Sequence, residues 1–464
     1  MAAAAPLRAV AAAGEAPPLL VPAATLLGSD PHLELLLALV RRRPGALLGW
    51  LAHGRPEPLA DLAATLGVRL DPSLLPLDPG IAAHLRAEAS AGRRVRVIAG
   101  DDPVLARGLA ARLAPGIEVV DRPLEAESFA LLAGPGTPPS LVAAAASLVL
   151  PADALPPTGA LAPVEARIAR PPLGTRPWAR ALRLHQWAKN LLVLVPLLLA
   201  GRLATVADLG HALLAFVAMG LLASAGYLVN DLLDLEADRR HPSKRARPLA
   251  AGTLPLRAGL AAVPILLLVA ALLAALLPAA FGPVAVAYLV LTLSYSLRLK
   301  HVPLLDVLVL AGLFTFRVLA GAEVIAAPLS YWLLTFAMFL FLSLALVKRH
   351  AELGQLATAG GRELVDRGYG TADLPLLLAA GLANGVAAAV IFVVYLVAEQ
   401  FPRAIYARPG WLWLVFPILL LWLLRTWRLT LHGRMDQDPV LFALTDRPSL
   451  AMGAAVLACL LLAW

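Results

Sequence analysis

The stretch "YLVNDLLDLEADRRHPSKRARPLAAG", residues 227–252, runs from acids into bases between two apolar runs near 209–229 and 256–278. Each run is close to the roughly 20 residues that a helix needs to cross a bilayer. If the first run continues as helix past Val229, then Asn230, Asp231, Asp234 and Asp238 fall at roughly 0°, 100°, 40° and 80° about its axis. They share one face, and Glu236 points away from it. Clustered carboxylates repel one another, and some stay protonated unless a cation compensates. Mg²⁺ favours carboxylate and amide oxygens and keeps positions open for phosphate. Asn230, Asp231, Asp234 and Asp238 are therefore candidate metal ligands. The basic run Arg239–Arg247 suits the phosphate oxygens that a metal leaves exposed. The competing reading is a solvated loop whose acids cap a helix and whose bases follow membrane topology.

The surroundings of this stretch are those of a polytopic membrane protein. The chain has 464 residues, 60% hydrophobic and 15% charged, with a mean hydropathy of +0.77. Soluble domains carry about a quarter charged residues. Nine apolar segments are candidate membrane helices, near 190–206, 209–229, 256–278, 281–297, 303–322, 330–347, 375–398, 410–426 and 448–464. Bases collect before the first segment and in alternate loops: Arg176, Arg180, Arg183 and Lys189; Arg239 to Arg247; Arg298 and Lys300; Lys348, Arg349, Arg362 and Arg367; Arg428, Arg434 and Arg447. The remaining loops are poorer in them. By the positive-inside rule, the N-terminal part and the stretch 227–252 face the cytoplasm of a plasma (inner) membrane.

Four regions are expected: a disordered leader at 1–18, which lacks the pattern of a signal peptide; an α/β domain at 19–150; a Pro- and Ala-rich linker at 151–177; and a membrane domain at 178–464. The single cysteine, Cys459, excludes a disulfide framework or a zinc cluster. The nine histidines show no ligand spacing. No nucleic-acid partner is expected; the expected surroundings are the lipid bilayer.

The phrase "NDLLDLEAD" resembles the N-D-x-x-D-x-x-x-D motif of the UbiA superfamily of intramembrane prenyltransferases. The resemblance covers residues 180–464. It implies an all-α membrane domain of about nine helices that holds a diphosphate substrate through Mg²⁺, using this motif and a second acidic motif in a later loop. The matching second region, "YSLRLKHVPLLDVLVLAGLFTFRVLAGA", supplies Tyr295, Lys300 and Asp306. Leu310 stands where many aromatic prenyltransferases have another Asp. "LRLHQWAKNLLVLVPLLLAG", "YSLRLK" and "LSLALVKRHAEL" look like the decaprenyl-phosphate phosphoribosyltransferase branch. That branch moves 5-phosphoribosyl from phosphoribosyl diphosphate to a polyprenyl phosphate, towards cell-wall arabinan precursors. The alternative is transfer of a polyprenyl group from its diphosphate to an aromatic or other acceptor. A transporter is a third reading, and it leaves the acidic face without a purpose.

On this resemblance Asp234, Asp238 and Asp306 are the catalytic candidates. Arg183, Lys189 and Asn190, with Gln186, lie on one side of the first helix start and can meet phosphate; Lys189 has the alternative of snorkelling to the interface. Arg245, Arg247, Tyr295, Lys300 and Lys348 are further substrate-binding candidates. Arg317 lies deep in an apolar run, where a charge usually faces a polar interior. It has Asp306 or a substrate phosphate as possible partners.

Residues 30–150 alternate helical and strand-like phrases: "HLELLLALVRRR" helical, "RRVRVIAG" a strand, "DPVLARGLAARLA" a helix opened by an Asp, and "IEVV", "FALLAG" and "ASLVLP" short strands. Such alternation indicates a parallel sheet. The phrases resemble a haloacid dehalogenase-like domain with its motifs worn away. Val21 and Ala23 occupy the two positions of the usual Asp pair, Ala99 replaces a Thr or Ser, and "LLAGPGTPP" lacks the late acid. Without a carboxylate nucleophile, aspartyl-phosphate chemistry has no basis, so a pseudo-phosphatase domain is expected.

Overall fold

The computed structural model describes residues 16–54, 58–100, 102–121, 128–134, 137–152, 154–169, 174–364, 367–403, 405–435 and 438–464. Residues 1–15 of the expected leader lie outside them, as do Asp101, Pro135 and Gly136 of the worn motifs. The chain forms two compact units. The first joins the residues up to Ala181 with Asp231–Leu260; the second comprises Leu182–Asn230 and Ala261–Trp464.

The first unit is built on a parallel sheet of β1 (Leu19–Pro22), β2 (Val95–Ile98), β3 (Glu118–Val120), β4 (Ala130–Leu132), β5 (Ser147–Pro151) and β6 (Val164–Ile168). Their order is β3-β2-β1-β4-β5-β6. In register, Leu19 pairs with Val95 and Ala130, and Leu20 with Arg96 and Leu131. Strand alternation sends Leu19, Val21, Val97 and Leu132 into one core and Leu20, Ile98, Leu131 and Leu148 into another. Both faces are covered, as a parallel sheet requires. Helices Pro31–Arg42, Pro79–Ser90 and Pro103–Leu113 each follow an Asp whose carboxylate accepts two backbone N–H groups of the first turn. Asp at the cap followed by Pro at the first position is a strong start signal, because Pro lacks only a donor that the helix leaves unpaired there. The segment expected to be linker contributes β6 to the sheet.

The second unit is helical. Among the described residues, six helical segments of the chain are long and apolar enough to cross a membrane: Val206–Leu233, Leu256–Ala275, Leu305–Val324, Tyr331–Thr358, Thr371–Gln400 and Pro409–Leu431. Three of the nine expected spans are shorter apolar helices, Leu184–Leu199, Phe281–Leu297 and Arg447–Ala463. A 17-residue helix is about 25 Å long, less than the ~30 Å hydrocarbon core. The first differs most from expectation. It is a 3₁₀ segment Leu184–Leu194 followed by the short helix Val195–Leu199. Pro196, with no N–H to donate, stands at the start of the new helix, where Pro is tolerated. The expected 330–347 helix continues to Thr358, which puts Lys348 and Arg349 in its interior. Ile265, Leu268, Leu272 and Leu276 are exposed along one apolar stretch. A surface of that kind is unfavourable in water and suited to lipid. The chain is a multi-pass membrane protein.

Candidate functional site

The acidic stretch departs from a single continuous helix. Val206–Leu233 ends, Asp234 stands at the break, and a second helix covers Leu235–Arg240. Short polar side chains favour such breaks because they compete with helical hydrogen bonding. The interruption is slight, since the Asp238 N–H still donates to the Asp234 carbonyl at 2.8 Å. Asp231 lies before this break and Asp238 after it, with that helical hydrogen bond kept.

Asp231 and Asp238 converge on one cation. Nη1 of Arg247 donates to Asp238 Oδ2 at 2.7 Å and to Asp231 Oδ1 at 3.1 Å. Both carboxylates are buried. Burial raises the Asp238 carboxyl above its ordinary value despite Arg247 beside it, and Asp231 adds to the rise. Arg247 is the cation that lies between the two carboxylates. Among the described residues no three His, Cys, Asp or Glu side chains form a metal-ligating group. Two carboxylates reaching one point still suit Mg²⁺, which is commonly held by one or two carboxylates and completes its shell with water and substrate phosphate. Asp234 is half-buried beside this pair in sequence, and Arg245 is exposed. Arg239, expected to serve phosphate, is spent elsewhere: Nη1 and Nη2 donate to the two oxygens of Glu34 at 3.0 and 2.6 Å.

The other candidates lie in the helical unit. Lys300 donates to the amide oxygen of Asn230 at 3.2 Å, and Tyr295 accepts from Arg367 at 2.8 Å. Lys189 donates to Asp438 Oδ2 at 2.7 Å, with Lys348 3.8 Å from the same oxygen. Burial would raise the Asp438 carboxyl, but Lys189 and Lys348 outweigh it and hold it below the ordinary range. Arg317 is buried, and its hydrogen-bond partners are other than Asp306, one of the two weighed for it. It donates to Asn190 Oδ1 at 2.8 Å, to the Tyr288 hydroxyl at 2.7 Å and to the Leu313 carbonyl at 2.6 Å. Arg183 lies over the Tyr227 ring at 4.5 Å, with a left-handed φ of 50° at the start of the 3₁₀ segment.

Asp306, expected in a second metal motif, is fully enclosed. Arg349 Nη2 lies 2.6 Å from its Oδ2, and the Tyr369 hydroxyl donates to its Oδ1 at 2.6 Å. Burial and this carboxylate push the Tyr369 phenol above its ordinary value. In this structure Asp306 serves as an internal counter-ion. Glu34, Asp438, Tyr288 and Tyr369 were not singled out from the sequence. Only Asp438 carried a local signal, as the Asp-Pro start of the helix Pro439–Ala443.

The chain is 41% identical over 290 residues to the uncharacterized protein y4nM of Sinorhizobium fredii, covering 62% of this chain and 55% of that protein. It is 33% identical over 278 residues to the nodulation protein NoeC of Azorhizobium caulinodans, covering 59% and 88%. It is 39% identical over 178 residues to a decaprenyl-phosphate phosphoribosyltransferase of Mycobacterium tuberculosis, covering 38% and 59%. The chain thus spans little more than half of the Sinorhizobium and mycobacterial relatives. Among solved structures, it is similar to a UbiA homolog from Archaeoglobus fulgidus bound to GPP and Mg²⁺, with a TM-score of 0.49 and 17% identity, covering 61% of this chain and 99% of that one. The UbiA prenyltransferase family matches residues 192–447. That match takes in more than half of the residues, and the chain belongs to the UbiA prenyltransferase family.

Proposed function

We propose that this protein is a Mg²⁺-dependent transferase that displaces diphosphate, moving 5-phosphoribosyl from phosphoribosyl diphosphate to a polyprenyl phosphate. The observation that carries the proposal is the convergence of the Asp231 and Asp238 carboxylates on a single cationic point, Nη1 of Arg247. These two carboxylates would hold the metal, with Asp234 and Asn230 as the further ligands of the motif. When bound, Mg²⁺ neutralises the diphosphate leaving group. In the reaction a polyprenyl phosphate oxygen bonds to the anomeric carbon of the ribose, and the bond from that carbon to diphosphate breaks. Arg247 and Arg245 are proposed phosphate contacts at the acidic motif, and Arg183, Lys189, Asn190, Tyr295, Lys300, Arg317 and Lys348 are proposed contacts in the helical unit. Asp306 acts by holding Arg349. The positive-inside pattern supports a cytoplasmic motif at the inner membrane.

Identity to the phosphoribosyltransferase of M. tuberculosis favours the phosphoribosyl donor, as does Leu310 at the position of a second Asp. The same metal and phosphate contacts would also serve a prenyl diphosphate. Purified protein assayed with phosphoribosyl diphosphate and polyprenyl phosphate, against polyprenyl diphosphate and an aromatic acid, separates the two. Turnover only with the second pair replaces the first reading by prenyl transfer.

We further infer that the α/β unit is a degenerate haloacid dehalogenase-like domain without phosphatase chemistry. β1 and β2 end at Pro22 and Ile98, next to Ala23 and Ala99, and β4 is followed closely by Gly134. None of these positions offers a nucleophile. Hydrolysis of a phosphomonoester that depends on a residue of this unit would overturn the inference.

A further inference from the structure

Within the first unit, one helix holds the loop that carries the acidic motif. Pro31–Arg42 and its cap present Asp30, Glu34, Arg41 and Arg42 along one flank. Glu34 takes both Nη groups of Arg239, with the two side chains only 4% and 6% exposed. Arg239 Nε donates to the Ala250 carbonyl at 3.0 Å, so the guanidinium joins both arms of the loop. Arg42 pairs with Glu236, and Arg240 pairs with the same Glu236 at 2.6 Å. On the far arm Arg257 pairs with Asp30, whose other oxygen caps the helix. Between these ion pairs the loop lies close against the unit. Gly252 has a left-handed φ of 71°, and a Cβ there would be 2.9 Å from Pro76 Cβ.

We propose that the α/β unit is a positioning clamp for the metal-binding motif, with Glu34 as its central positioning residue. Arg239 directly follows Asp238 and flanks the Asp231–Asp238 pair. A buried pair such as Glu34–Arg239 adds little net stability, because desolvation offsets the attraction, but it fixes one register where others would strand a charge. The register it fixes is that of Leu235–Arg240, and hence the direction in which Asp238 presents its carboxylate. The sheet and helices up to Ala181, which carry no nucleophile at the ends of β1, β2 and β4, thereby act on the acidic motif of the same unit. The assignment rests on the metal-binding role proposed above.

The test uses the full-length protein in nanodiscs. Glu34→Gln keeps size and removes the charge. Amide hydrogen exchange over 231–247 is expected to accelerate, because the local opening that permits exchange becomes easier. Mg²⁺ alone is the probe of the motif. The Mg²⁺ concentration that half-protects these amides, and that half-saturates turnover, is expected to rise by about tenfold or more, as for groups that orient metal ligands. Turnover at saturating Mg²⁺ should stay near the parent value. Reversing the pair, with Glu34→Arg and Arg239→Glu together, should restore slow exchange. If Glu34→Gln fails to accumulate, Arg42→Gln with Arg257→Gln loosens the same loop from its rim and should give the same signature. Unchanged exchange in the accumulating variant overturns the clamp, as does faster exchange with an unchanged Mg²⁺ requirement. If the parent turns over no donor but Mg²⁺ protects the motif, the transferase reading fails and the exchange data still decide the clamp. If Mg²⁺ does not protect the parent motif, both the metal role and the clamp's purpose fall.

Discussion

Arg349 and Asp306 lie 2.6 Å apart in an ion pair whose side chains are 1% and 0% exposed. Arg349 is on the helix Tyr331–Thr358 and Asp306 on Leu305–Val324, so the pair ties two long helices together. The Tyr369 hydroxyl completes it from the hairpin Glu363–Leu364 and Tyr369–Gly370.

Removing one member of this pair leaves the other charge buried alone, which costs about 3–5 kcal/mol. Arg349→Met is therefore expected to lower the thermal unfolding midpoint in detergent markedly. The double variant Arg349→Met with Asp306→Asn should recover much of the loss, because the two effects are coupled. Additive losses would show that the two side chains act separately.

Asp238→Asn and Asp234→Asn each remove a charge from the proposed metal motif at constant size. Transfer is expected to be abolished at limiting Mg²⁺, with the protein still folded in membranes. Turnover close to the parent value in both variants would remove the motif from the chemistry.

Arg247 should matter in proportion to how the donor is held. A soluble donor depends on charged hydrogen bonds worth about 1.5–3 kcal/mol each. Arg245→Ala with Arg247→Ala should thus weaken phosphoribosyl diphosphate binding strongly. A prenyl diphosphate, anchored by its chain, should lose proportionately less. Binding of both donors by titration, with and without the substitutions, gives the comparison.

Asp438 gives the protein an acid-sensitive contact. Its carboxyl is held below the ordinary value by Lys189 and Lys348, against the effect of burial. A carboxyl depressed in the folded state contributes stability that is fully present above its unfolded value and is lost as pH falls through the folded one. The contribution should therefore be intact at neutral pH and decline below about pH 4. Asp438→Asn is expected to lower stability at pH 7 and to flatten the acid limb. An unaltered pH profile in this variant would separate Asp438 from the two lysines.

Gly321 sits where a Cβ would approach the Val193 carbonyl oxygen to 2.1 Å. In an open helix, Gly→Ala gains roughly 0.8–1 kcal/mol from helix propensity. Here the neighbour is backbone and cannot rotate away, so Gly321→Ala should lose about 1–3 kcal/mol through overpacking. Thermal unfolding gives the sign. Displacement should also loosen the Arg317–Asn190 contact, which links the same two segments.

The sequence by itself determined the membrane character, the parallel sheet, the helix start at Asp102 and the acidic motif. It placed the helix Phe281–Leu297 at its observed bounds. Each of these rests on local signals: apolar length, strand alternation, caps and spacing. Where such signals misled, a polar residue was taken for an end. Lys348 and Arg349 were read as a helix terminus, but both are good helix formers, the helix runs on to Thr358, and Asp438 and Asp306 meet the two charges from distant segments. Partner choice was decided by tertiary structure alone. Glu34 and Arg239 are separated by 205 positions, and Lys189 and Asp438 by 249. Many acids in the chain could satisfy a given base. Which one does so depends on burial, since only a fold that brings the opposite charge to the same enclosed point can remove both from water.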